Sequence, residues 1–162
     1  DADYGHNLLF TKLKSIPNDI IFGVINVHLP FTTDSFNAIN KLNEIVRDLL
    51  KMNKDVQHWI LCGDFNYDTY DNLQKWNILK SNLPTWTEIN NEEDTITAID
   101  TNENLARYDY MWYMGNLSVK KIDYKIDPFK RKELLISHNN APRNNDYQFP
   151  SDHIPVIGEF QI

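Results

Sequence analysis

Ile20-Ile21-Phe22-Gly23-Val24-Ile25-Asn26-Val27-His28-Leu29, halted by Pro30, is a continuous apolar run dominated by β-branched residues. Such a run suits a strand buried on both faces, and the proline ends it because it lacks a backbone donor. Beyond it, Phe36, Ile39, Leu42, Val46, Leu49 and Leu50 recur at steps of three and four, with Lys, Asn, Asp and Arg between them. That spacing predicts an amphipathic helix with Thr33 or Asp34 as its N-cap. His58 to Cys62 (HWILC) reads as a second buried strand ending at Gly63, and Tyr70 to Lys80 as a weaker second helix. On the N-terminal side, Leu8 to Leu13 reads as a short strand, turned at Ser15-Ile16-Pro17-Asn18-Asp19.

The stretch from Leu83 to Ala106 is polar and irregular, suited to loop with short β pieces. Arg107 to Tyr113 (RYDYMWY) is an aromatic strand, and Leu117 to Ile126 is its expected antiparallel neighbour across Met114-Gly115-Asn116. Residues 128–150 carry three prolines and read as a surface connection, and Ile154 to Ile162 closes the chain as a strand. Strand, helix, strand, helix and then mostly antiparallel strands indicate a mixed α/β layered domain. A doubly wound parallel sheet would need a helix between Arg107 and Ile162, where no 3.6-residue period is visible.

The 162 residues, 41% hydrophobic and 24% charged, suffice for one domain and are too few for two ordinary ones. No apolar run approaches the roughly 20 residues that span a bilayer. The acidic start Asp1-Ala2-Asp3-Tyr4 has neither the basic nor the apolar region of a secretory signal. The single cysteine, Cys62, excludes an internal disulfide and fits a reducing, intracellular compartment, cytoplasm or nucleus. A net charge of −7 argues against a domain that coats nucleic acid by bulk charge, though a divalent cation would supply positive charge locally.

Chemistry-bearing residues fall where strands end: Asn26 and His28; Asp64 and Asn66 in Gly63-Asp64-Phe65-Asn66; Arg107 and Asp109; and Ser151, Asp152 and His153. Each group has an ordinary reading as a hydrogen-bonded turn or strand end. Asp109 is the hardest to read so, because a carboxylate inside an aromatic strand is costly without a partner. As a set they are what phosphate-ester hydrolysis requires. Carboxylates can bind Mg²⁺ or Mn²⁺ and activate water, and imidazoles can neutralise phosphorane oxygens and protonate a leaving group. A weaker reading treats Tyr108, Tyr110, Trp112 and Tyr113 as a base-stacking surface served by Lys120-Lys121, Lys130-Arg131-Lys132 and Arg143.

The ordered series Asn-x-His-Leu, Gly-Asp-Phe-Asn, Arg-x-Asp-Tyr and Ser-Asp-His-x-Pro strongly resembles the endonuclease/exonuclease/phosphatase superfamily, from about Leu8 to the C-terminus. The resemblance implies a four-layer α/β/β/α sandwich and a Mg²⁺- or Mn²⁺-dependent phosphodiesterase, in the first place a nuclease. By the same resemblance His28 is a general acid or phosphate contact, Asp64 activates the water, and Asn66 positions it and touches the phosphate. Asp109 holds the His153 imidazole, which binds the scissile phosphate; Asp152 is a metal ligand or supports one, and Asn26 is a secondary phosphate-side candidate. The chain departs from the pattern in lacking the family's first Asn-bearing strand end and its Gln-Glu metal pair. Residues 1–162 therefore resemble the C-terminal portion of the domain, about half the sandwich, and a second polypeptide segment is expected to complete it. The competing expectations are a catalytically inactive interaction module that keeps the fold, and a phosphatase acting on a lipid or small-molecule phosphate.

Overall fold

The computed structural model describes residues 7–30, 35–66, 73–83, 85–89, 97–99, 105–123, 153 and 156–162. Strand β1 (Asn7–Lys14) turns back antiparallel into β2 (Ile21–His28), which runs parallel to β3 (His58–Asp64). The parallel pair needs a crossover, and helix α1 (Ser35–Met52) makes it. After α2 (Leu73–Asn82) come three two-residue strands, β4 (Thr87–Glu88), β5 (Ala98–Ile99) and β6 (Leu105–Ala106). The chain continues through β7 (Asp109–Met114), β8 (Ser118–Asp123) and β9 (Ile157–Gln161). The main sheet has the order β1-β2-β3-β7-β4, with β5-β6 and β8-β9 as separate pairs.

Strand alternation and register decide what each face does. Ile25, Leu61 and Trp112 lie side by side on β2, β3 and β7, as do Gly23, Trp59 and Met114. With Ile39, Leu42 and Val46 of α1 and Leu79 of α2 they form one core. From Ile39 to Leu50 the inner stripe of α1 is thus the predicted one, and Asn53 closes the helix by donating its backbone and side-chain N–H to Leu49 O at 3.0 and 2.9 Å. The expected caps Thr33 and Asp34 lie outside the described residues.

The other face carries Leu9, Leu13, Phe22, Val24, Ile60, Cys62, Met111 and Tyr113, by the same alternation. At one end the β8-β9 pair covers it: Phe160 meets Tyr113 edge-on, with ring centroids 5.7 Å apart. At the β1 end Leu9 and Leu13 remain 63% and 52% exposed. Helices on one side and a small second sheet on the other give an α/β/β stack, one side of the α/β/β/α sandwich.

Two expectations are corrected. The strand read as buried on both faces is buried on one; Gly23, Ile25 and Val27 are covered, while Asn26 and His28 are exposed. On the second face Phe22 and Val24 are half-buried, and the polar end, Asn26 and His28, is exposed. β8 is not the neighbour of β7: β7 pairs with β3 and β4, and β8 with β9. Gly115, at φ 110°, diverts the chain before a hairpin can form, and a Cβ there would stand 2.8 Å from Gln57 O.

Candidate active site

Cross-strand register builds the site. His28 is the partner of Asp64 across the parallel pair, and Asp64 is the partner of Asp109 across the antiparallel one. Asn7 is the partner of His28 on β1, so Asn7, His28, Asp64 and Asp109 form one row over four strands. Residues in register project to the same face, and strands lie about 4.8 Å apart, so the row places these side chains within reach of one small substrate.

His153 completes the row from a distant part of the chain. Its Nδ1 lies 2.8 Å from Asp109 Oδ2. A carboxylate only accepts, so Nδ1 carries the hydrogen and donates it. The ring's other nitrogen, Nε2, then faces Asp64 Oδ2 at 3.7 Å. His28 Nε2 stands at the same 3.7 Å from that oxygen. Both separations exceed a hydrogen bond and leave Asp64 Oδ2 between two imidazoles, open to a third party.

Asp64 is fixed through its other oxygen: Oδ1 accepts the backbone N–H of Asn66 at 2.8 Å. Burial pushes the Asp64 carboxyl above its ordinary value, and the neighbouring Asp109 charge adds to the rise; the Asn66 N–H and the two imidazoles oppose it. Asn66 adopts a left-handed backbone (φ 52°), which asparagine tolerates, and its Nδ2 donates to Leu29 O at 2.7 Å. That bond ties the Gly-Asp-Phe-Asn turn to the end of β2. Gly63 permits the close approach beneath, since a Cβ there would lie 2.0 Å from Val27 O. Asn26 lies one pleat back from His28 on the same face, about 6.6 Å along the strand. Its Oδ1 is 4.0 Å from Cys62 Sγ, whose thiol is raised by burial.

Other sequence candidates fall elsewhere. Arg107 is locked in a buried ion pair with Glu88, 2.6 Å from Nη2 to Oε1, and its guanidinium lies 4.5 Å from the Tyr110 ring. Glu44 and Glu159 pair with Lys41 and Lys120. The base-stacking reading loses most of its surface: Tyr108, Tyr110 and Trp112 are packed inside at 8%, 2% and 1% exposure, and the half-buried Tyr113 lies edge-on to Phe160. Ser151, Asp152, Lys130-Arg131-Lys132 and Arg143 lie outside the described residues. Two residues escape the sequence pattern: Asn7, just before the expected start of β1, and Thr97, whose Oγ1 accepts the N–H groups of Tyr108 and Asp109. No sequence signal marks Thr97, since it sits in an irregular polar stretch; extending the strand by one residue finds Asn7.

Among the described residues no group of three or more His, Cys, Asp or Glu is arranged to hold a metal ion. Mg²⁺ favours a near-octahedral oxygen shell. Asp64 and Asp109, the two carboxylates of the row, each commit one oxygen to a protein partner. The described residues therefore do not assemble that shell by themselves.

No family model matches the sequence, and no curated protein matches it. Solved structures do. The human Nocturnin catalytic domain is 16% identical over 96% of this chain and 53% of its own, with a TM-score of 0.66. D. rerio TDP2 complexed with a single-strand DNA product is 14% identical over 97% of this chain and 62% of its own, also at 0.66. A Bacteroides thetaiotaomicron mannosyl-6-phosphatase is 18% identical over 97% and 57%, at 0.64. The chain thus spans between about half and three-fifths of the length of these structures. An endonuclease/exonuclease/phosphatase protein from Bacteroides vulgatus matches in the same way, at a TM-score of 0.65. The backbone of this chain, an α/β/β stack, has the fold of part of an endonuclease/exonuclease/phosphatase domain.

Proposed function

We propose that residues 1–162 form the C-terminal portion of a divalent-metal-dependent phosphodiesterase that cleaves nucleic acid. One observation carries this reading: His28, Asp64 and Asp109 stand in register on adjacent strands, and His153 closes onto both carboxylates. Asp64 Oδ2 is the base. A carboxyl raised by burial is a better proton acceptor once ionised than an ordinary one, and its Oδ2 stands 3.7 Å from each imidazole. His153, its Nδ1–H held by Asp109, presents Nε2 to the phosphate and, once protonated, donates to the oxygens on which charge builds. His28, across Asp64, is placed to protonate the leaving oxygen or to contact the phosphate. Asn66 supports the water through the turn it stabilises, and Asn26 extends the polar rim on the phosphate side.

Mg²⁺ or Mn²⁺, the cation that the sequence resemblance implies, would act as a Lewis acid on the phosphate. Its ligands would include Asp152, next to His153, and oxygen donors beyond the described residues. The second polypeptide segment belongs on the half-covered face that carries Leu9, Leu13, Phe22 and Val24, since a face of this kind is normally packed against another layer. The TDP2 structure with a DNA product supports nucleic acid as the substrate class. The mannosyl-6-phosphatase supports a second reading, hydrolysis of a small phosphomonoester on the same row. A single free cysteine agrees with a reducing, intracellular setting.

The test is hydrolysis by the full-length protein, with Mg²⁺ or Mn²⁺, of plasmid DNA, single-stranded oligonucleotide, bis-p-nitrophenyl phosphate and mannose 6-phosphate. Diester cleavage lost in Asp64→Ala and His153→Ala supports the proposal. Turnover of the monoester alone moves the assignment to the phosphatase reading. Full activity in both variants removes the assigned mechanism, and a folded wild type that hydrolyses none of the four overturns the nuclease reading and favours the interaction module.

A further inference from the structure

Thr97 is 0% exposed, a costly place for a hydroxyl that is not hydrogen-bonded. Its Oγ1 accepts two consecutive backbone N–H groups, those of Tyr108 and Asp109, each at 3.0 Å. Successive N–H groups of an extended strand point to opposite edges. Here they converge because Tyr108 precedes β7 and lies outside its ladder. On the other side of the same residue, Tyr108 O accepts the Phe65 N–H at 2.8 Å, next to Asp64. The backbone that carries Asp109 is thereby held from both sides. Thr97 is itself anchored, since its N–H donates to Ala106 O at 3.0 Å.

The next residue engages the other half of the couple. Ala98, also 0% exposed, forms an isolated antiparallel bridge with His153. Thr97 and Ala98 therefore hold the backbones of Asp109 and His153, whose side chains meet at 2.8 Å although 44 residues separate them in sequence. We infer that Thr97 is a positioning residue for the Asp109–His153 couple, its hydroxyl setting the strand start from which Asp109 reaches His153 Nδ1. The catalytic consequence rests on the phosphodiesterase reading above; the clamp itself rests on geometry alone.

Thr97→Val keeps the shape and removes the acceptor, so two inward N–H groups lose that oxygen and the start of β7 must move. Thr97→Ser keeps the acceptor. The experiment uses the full-length protein with two readouts: steady-state hydrolysis of bis-p-nitrophenyl phosphate, and the downfield proton resonance of His153 Nδ1–H. Thr97→Val is expected to lower kcat by about tenfold or more while KM changes by less than about threefold, the pattern of a lost transition-state alignment. Its Nδ1 proton resonance shifts or broadens, whereas Thr97→Ser keeps the resonance and nearly all of kcat. Should Thr97→Val fail to fold, Thr97→Ala gives the same comparison, because it too lacks the acceptor. An unchanged resonance and kcat without the hydroxyl, or a serine variant as impaired as the valine one, overturns the inference. A wild type that hydrolyses no ester but whose resonance responds as described sinks the hydrolase reading and leaves the clamp standing.

Discussion

Asp64 shows how one side chain is made both useful and costly. Its carboxyl is raised chiefly by burial, with the Asp109 charge adding to the effect. The native state therefore holds this proton to higher pH than the unfolded chain does, whose value is near 3.9. Stability contributed by the group falls as pH rises from the unfolded value through the raised native one, and at neutral pH the ionised form is a net burden. Asp64→Asn keeps an oxygen for the Asn66 N–H and removes the buried charge. In thermal melts at pH 7 the asparagine variant should therefore unfold at a higher temperature than the wild type. On the proposed mechanism the same variant loses about 10²-fold or more of kcat, and wild-type kcat rises with pH through the raised carboxyl. Asp109→Asn offers a second check, because an amide able to donate toward Nδ1 favours the wrong imidazole tautomer. Its kcat should fall by about 10²-fold with little change in melting temperature.

At the scale of elements, the row depends on how closely β2 and β3 approach at Gly63. The residue sits at φ 132°, and a Cβ would fall 2.0 Å from Val27 O and 2.8 Å from Asn26 Oδ1. Gly63→Ala should cost about 3 kcal/mol or more, from backbone strain plus overpacking, read from denaturant unfolding. β4 is tied to the residue preceding Tyr108 by Glu88 and Arg107, whose side chains are only 5% and 9% exposed. Glu88→Ala removes one buried carboxylate partner of the Arg107 guanidinium and should cost about 3 kcal/mol by the same measurement. Sequence pattern locates these strands well but fails on partners. The Leu117 to Ile126 segment reads as the second arm of a hairpin because a Gly-Asn pair stands before it, yet β8 pairs with β9 from the end of the chain. Turn chemistry is local, and a pairing of residues about forty positions apart leaves no mark in either segment alone.

For the whole molecule, the decisive feature is the sheet face opposite α1 and α2. β8-β9 covers its β7 end, while Leu9 and Leu13 near its β1 edge stay largely in solvent. The 162-residue chain by itself should therefore bind a hydrophobic dye and self-associate, and Leu9→Lys with Leu13→Lys should reduce both in fluorescence and size-exclusion measurements. In the full-length protein the same pair should instead destabilise, since the face would then be covered by the proposed second segment. Equal effects in both settings would mean that nothing packs there.

The sequence by itself located the longer elements and nominated the candidate site. Apolar period set β2, α1 and β3, and polar residues left at strand ends singled out Asn26, His28, Asp64, Asn66, Arg107, Asp109, Ser151, Asp152 and His153, because a strand has little use for them in packing. Tertiary structure alone decided that these side chains meet. His153 reaches Asp109 only through long-range placement, Arg107 turns inward to Glu88, and Tyr110 and Trp112 of β7 serve the core. It also disclosed Thr97, whose role depends on two backbone N–H groups that converge near one oxygen. Period and composition report what each segment buries, whereas distance between segments is set by register and layer packing, which no single segment encodes.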